Sequence, residues 1–123
     1  MIKVVYCVRR RADVTEERFH SYWLQQHAAL VRSVAPAIRA RRYVQSHTFA
    51  PELNALLLAS RGLAEPYDGI TELWWDNMDT VNEVLASSEA AEAMAKLVAD
   101  EATFIDFAAS CMFATEEHTI FEL

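Results

Sequence analysis

Glycine and proline are scarce, with two and three among 123 residues. Because 53% of the residues are hydrophobic and 24% charged, that scarcity excludes a collagen-like, low-complexity or disordered chain. Cysteine is as rare, and Cys7 and Cys111 both lie inside apolar, strand-like runs. They read as buried free thiols of a reducing compartment, with a bridge between neighbouring strands as the alternative that spacing does not decide. No apolar run approaches the ~20 residues needed to span a bilayer. In MIKVVYCVRRR the basic residues follow the short apolar stretch, the reverse of a signal peptide. A cytoplasmic chain that does not engage a membrane is therefore expected. Positive charge is in deficit too: the formal net charge of −7 repels a phosphate backbone. Arg9, Arg10, Arg11 and Arg39, Arg41, Arg42 cluster, but they read as a solvated strand end and a charged edge strand. Nucleic acid is not an expected partner.

Chemical signatures are missing as well. Gly62 and Gly69 stand alone, so there is no glycine-rich phosphate loop, and no GxSxG elbow occurs. No HxH, HxxxH or CxxC spacing is present. His20 and His27 are two helical turns apart, about 10 Å, too far to share an ion. Neither a metal nor a cofactor is expected.

What remains is a chain of the length of one domain, 1–123, able to bury about two-thirds of its unfolded surface. Residues 2–9 alternate β-branched and aromatic residues and read as a strand. Thr15 offers an N-cap oxygen with Glu16 and Glu17 behind it, which predicts a helix to about Val34, ended by Pro36. Its apolar stripe is Phe19, Tyr22, Trp23, Leu30, Val31 and Val34. IRARRYVQSHT (38–48) is the second strand. Pro51 starts a short helical turn with Leu53, Leu56 and Leu57 on one side and Gly62 just beyond it. Such an insertion either lies over a binding site or plugs the core. Residues 67–75 form the third strand, and two helices follow over 79–87 and 89–100, broken at Ser87 and Ser88. Residues 104–113 form the last strand, and the tail HTIFEL offers an edge segment. The order β-α-β-(short helix)-β-α-β predicts an α+β, ferredoxin-like βαββαβ protomer, its antiparallel sheet covered by helices on one face.

The other face predicts a partner. Val5 and Cys7 point away from Ile2, Val4, Tyr6 and Val8, and Trp74 and Trp75 point to opposite sides. The last strand sets Ile105, Phe107, Ala109, Cys111 and Phe113 against Ala108 and Met112. A sheet apolar on both faces needs a second layer, and a second copy supplies it most simply. A homodimer is expected.

His27 falls within the apolar stripe of its helix, so its ring points between helix and sheet. It is either a core histidine satisfied by a carbonyl or a proton donor and acceptor on a pocket wall. His47 closes the second strand beside Tyr43 and Gln45 and is either an exposed strand end or a second donor. Asp68 and Glu72 share a face with Trp74, and Asp106 sits in the apolar FIDF. Carboxylates there cost several kcal/mol unless paired, so partners such as Arg41 or Arg42 are expected. Tyr6, Tyr22 and Tyr43 read as amphipathic wall residues.

Read together, TEERFHSYWLQQHAALV (15–31), RRYVQSH (41–47), YDGITELWW (67–75), DEATFID (100–106) and TEEH (115–118) resemble the EthD family. The resemblance implies the dimeric α+β barrel and singles out His27, His47, Asp68 and Glu72. It also implies a range of activities. Fungal relatives act as decarboxylases or dehydratases on polyketide aromatics, and related barrels include muconolactone isomerases and quinone-forming monooxygenases. The expected function is a cofactor-independent lyase or isomerase acting on a small apolar carbonyl or aromatic compound. His27 is then the general acid/base and His47 a second donor. Tyr22, Trp23, Tyr43 and Trp74, with Asp68, Glu72 and Asp106, surround the substrate. The alternative is a binding protein that sequesters a hydrophobic small molecule unchanged.

Overall fold

The structure, a computed structural model, describes residues 1–123. Four strands, β1 (Ile2–Val8), β2 (Arg42–His47), β3 (Gly69–Trp75) and β4 (Cys111–Glu116), form one antiparallel sheet in the order β2-β3-β1-β4. Register decides which side chains face the helices. Ile2, Val4, Tyr6 and Val8 stand opposite Trp75, Leu73, Thr71 and Gly69. Tyr43, Gln45 and His47 stand opposite Leu73, Thr71 and Gly69. Successive residues of a strand point to opposite faces, so these all share the covered side. The result is the ferredoxin-like α+β fold.

The long helix of the sequence is three pieces: α1 (Glu16–Tyr22), a π turn (Trp23–His27) and α2 (Ala28–Ile38). Thr15 caps it by accepting the Arg18 N–H at 3.1 Å, as its sequence predicts. The buried residues are Phe19, Trp23, His27, Val31, Val34 and Ile38. Three successive steps of four residues would each rotate the stripe by about 40° on an α-helix of 3.6 residues per turn. The π turn carries the extra residue and cancels that drift, which keeps Trp23 and His27 aimed at the sheet. Such bulges recur at functional sites.

Several predicted boundaries move. Pro36 does not end the helix but lies inside its last turn. Ile38 is buried and its carbonyl accepts the Trp75 indole N–H at 2.9 Å; the helix then stops at Arg39 in the left-handed region. Consequently β2 starts at Arg42 instead of residue 38. The last strand also starts late. Phe104 and Ile105 are buried against Phe19, Trp23 and Val8, held through a bridge from Ile105 to Arg10. A 3-10 turn (Phe107–Ala109) separates them from β4. Residues 117–123 form no edge strand.

After β2, α3 (Pro51–Arg61) is a full helix closed by Gly62 at φ 64°. It plugs nothing: none of its residues is buried, and Leu56 is 70% exposed. Then α4 (Met78–Leu85) and α5 (Ser88–Glu101) cover the sheet, capped by Asn77 and Ser87, which accept N–H groups of Thr80 and Ala90. Ser87 thus breaks the helical run by starting the second helix.

The uncovered face is mixed. Val5, Cys7, Ile70, Val44, Cys111 and Phe113 form its apolar part, by the alternation of each strand. The other end is charged: Lys3 pairs with Glu72 at 2.9 Å, and Arg42 lies over the Trp74 ring at 4.8 Å. Cys7 and Cys111 are free thiols directly opposite one another on β1 and β4.

Candidate functional site

Between α2, α4, α5 and the sheet lies a cavity of about 270 Å³. Its walls are hydrophobic apart from His27, Thr71 and Glu101, with hydroxyls of Tyr6 and Tyr43 added to the polar end. Leu85, Met94 and Met112, all exposed, also line it and mark its solvent side. An apolar enclosure with a few convergent polar groups is the usual form of a small-molecule site.

His27 is 3% exposed and is held on two sides. Its Nδ1–H donates to Asp100 Oδ2 at 2.8 Å, and the other oxygen of Asp100 accepts the Tyr22 hydroxyl at 2.5 Å. Phe104 packs against the ring with centroids 5.2 Å apart. A carboxylate on Nδ1 fixes the tautomer and leaves Nε2 to exchange protons. Nε2 lies 3.9 Å from Glu101 Oε2, beyond hydrogen-bond length. No buried side-chain N or O lacks a partner, so this unpaired nitrogen opens on the cavity instead of being sealed in the core.

Glu101 faces the same space. Burial pushes its carboxyl up to about 7; the Tyr6 hydroxyl partly offsets this, and the neighbouring Asp100 charge adds to it. The C-terminal end of α5 works in the same direction, since a helix end of exposed carbonyls disfavours negative charge. Tyr6 is pushed well above the ordinary phenol range, first by its own burial and then by Glu101. Tyr43 is pushed up to about 12, mainly by burial. Both phenols therefore remain protonated donors. Asp100 and Glu101 open the DEATFID block of the resemblance, but neither was singled out as a site residue. The available signal was two acids in the last turn of a helix, where acids are disfavoured.

His47 is elsewhere. It lines a separate hollow with Phe49, Leu53 and Tyr67, next to α3. Gln45 Nε2 donates to the Trp23 carbonyl at 2.9 Å, which turns its Oε1 toward His47 Nε2 at 2.8 Å. His47 then donates from Nε2 and accepts at Nδ1 from His20 Nδ1, 2.7 Å away. Burial, followed by the nearby His20, lowers its pKa. Both nitrogens are occupied, and the Trp23 ring packs on it at 4.3 Å. The two histidines are not brought to one point, because Trp23 fills the layer at that end.

Of the remaining residues singled out in the sequence, Tyr43 lines the cavity and Tyr22 reaches it only through Asp100. Trp23 is a core residue. Trp74 faces the other side of the sheet, where its indole donates to Glu117. Glu72 is paired with Lys3. Asp68 accepts the Arg10 backbone N–H at 2.8 Å and lies 3.6 Å from its side chain. The expected pairing of both acids is there, with other partners than Arg41 and Arg42. Asp106 lies beside Arg11 in a third hollow, outside any strand.

Clusters of three or more His, Cys, Asp or Glu side chains arranged for a metal do not occur. No helix is long and apolar enough to cross a membrane.

Among the solved structures that share this fold are the following three. One is an EthD family protein from Bacillus halodurans, 15% identical, covering 96% of this chain and 99% of that one, with a TM-score of 0.61. A dimeric ferredoxin-like protein of unknown function from Thermobifida fusca is 15% identical over 93% of this chain and 88% of its own, with a TM-score of 0.56. A hypothetical protein from Arabidopsis thaliana is 15% identical over 98% and 91%, also with a TM-score of 0.56. No curated protein sequence matches. The EthD domain profile, in contrast, matches residues 11–108. That stretch holds the π turn, His27 and the acids facing it, and this chain belongs to the EthD family.

Proposed function

We propose that the cavity is the working site of a lyase or isomerase whose protein side chains carry the proton, acting on a small, mostly apolar carbonyl or aromatic compound. The observation that carries this reading is His27, buried, held through Nδ1 by Asp100, with a free Nε2 on an apolar cavity. Here Nε2 takes a proton from a carbon next to a carbonyl, or gives one to it, while Tyr6 or Tyr43 donates to the substrate oxygen. General acid–base catalysis of this kind contributes about 10²–10⁴-fold. With a substrate identified from a panel of small aromatic ketones and other neutral enolisable carbonyl compounds, His27→Ala lowers kcat by about 100-fold and leaves KM within a few fold. An unchanged kcat would remove His27 from the mechanism. The apolar lining equally suits a protein that stores such a compound. Storage predicts tight binding by wild type and His27→Ala alike, with turnover of nothing in the panel.

The same reading has two copies closing their uncovered sheet faces on one another. Its support is the apolar patch around Val5, Ile70 and Phe113, together with the dimeric description of the Thermobifida fusca protein. Light scattering is expected to give twice 14.0 kDa for the wild type. Phe113→Asp, a charge in the middle of that patch, shifts it to the single-chain mass at micromolar concentration. A wild-type protein that stays single at high concentration would contradict the pairing.

A further inference from the structure

Resting on that reading, we infer that Glu101 is a second proton-transferring group of the cavity, so that the site takes a neutral compound with an enolisable carbonyl at its polar end. The two groups come from different elements. His27 is delivered by the π turn and Glu101 by the last turn of α5, and both line the same apolar space. At 3.9 Å they are too far apart to hydrogen-bond, so neither holds the other's proton. Only 14% of the Glu101 side chain is exposed, and no Lys or Arg pairs with it. A structural carboxylate in such a place would have a cationic partner.

The groups that face Glu101 are Tyr6 from β1, Tyr43 from β2, His27 from the π turn and Asp100 on its own helix. None of them is a fixed cation, so no positive charge offsets the burial that pushes this carboxyl up to about 7. The step balances without a further reactant. One group takes the proton of the carbon beside the carbonyl, the C–H electron pair moves into the new C=C bond, and the carbonyl oxygen receives a proton from the other group. In a conjugated dienol, return of a proton to a different carbon, with the enol O–H proton going back to the group that gave it, completes an isomerisation. A substrate carrying a carboxylate at the polar end would meet Glu101 and Asp100, which is why a neutral compound fits.

The test uses 5-nitrobenzisoxazole as a probe. A base removes its C3 proton, the N–O bond breaks and a coloured cyanonitrophenolate is released. The rate of the wild-type protein is expected to rise with pH through about 7, as the carboxylate forms, and then to level. Glu101→Gln loses about 100-fold at pH 8 together with that step. Glu92→Gln, exposed on the same helix, behaves as wild type. Retention of the full rate and the same profile by Glu101→Gln overturns this inference and leaves the reading of His27 standing. Absence of saturable turnover by the wild type overturns both. Should Glu101→Gln fold poorly, the ¹³C-carboxyl titration of the wild-type protein decides. A Glu101 midpoint near 7 is expected, and one in the ordinary glutamate range rejects the inference.

Discussion

Gly69→Ala is expected to destabilise the protein by about 3 kcal/mol, at the upper end of what overpacking a core costs. A Cβ on Gly69 would lie 2.4 Å and 2.6 Å from two ring carbons of Trp23 and 2.7 Å from the Ser46 carbonyl oxygen. Neither neighbour can yield. Trp23 is 1% exposed and packed on Phe19 and His47, and Ser46 belongs to the strand paired with β3. The ring is rigid, so relief requires β3 to move away from the helical layer. For a chain of this size the melting temperature falls by about 10 °C. Urea unfolding at constant m-value checks it. The second substitution Trp23→Phe makes room and recovers part of the loss, because sites in contact are not additive. A Gly69→Ala protein within 0.5 kcal/mol of wild type would show that the contact is not the constraint on this strand.

Glu101→Gln carries the other large effect, and it depends on pH. Folding raises this carboxyl from an ordinary 4.5 to about 7, so the folded state prefers the protonated form. The associated stability is fully present below about pH 4.5 and is lost as pH rises to about 7. Above that, the protein carries a buried carboxylate without a cation. A shift of this size corresponds to roughly 3 kcal/mol at 1.36 kcal/mol per unit. The glutamine stays neutral throughout. Glu101→Gln is therefore expected to match the wild type near pH 4.5 and to exceed it by roughly 3 kcal/mol at pH 8. Denaturant melts of both proteins across that range test the claim. A gap that stayed constant with pH would mean that Glu101 is solvated in the folded protein. The same buried carboxyl that weakens the fold above neutrality is the one proposed to move protons, as is common where a site has to hold an unfavourable charge.

The periodicity of β1 and the Thr15 cap were readable because each is local: alternation and a short polar side chain before acids depend only on neighbours in sequence. The placement of His27 on the inward stripe was readable for the same reason. Its surroundings were not. Asp100 and Glu101 reach it from 73 residues and more away, and no local pattern separates a paired acid from a solvated one. His47 looked like its partner because the resemblance to the EthD family singles out both. That view omitted Trp23, whose ring occupies the layer near His47. The start of β4 was misjudged at Phe104 since a run of apolar residues reads alike whether it continues a strand or plugs a core.

By itself, then, the order of apolar and polar residues determined a four-stranded sheet with helices on one side, an uncovered face with an apolar patch, and a histidine turned inward. Tertiary structure alone decided that this histidine meets Asp100 and faces an apolar cavity shared with a carboxyl that has no cationic partner, and that the second histidine does not. The physical reason is distance along the chain. Hydrophobic periodicity acts over a few residues, whereas the desolvation that makes Glu101 unusual exists only after α5, β1, β2 and the π turn have closed around it.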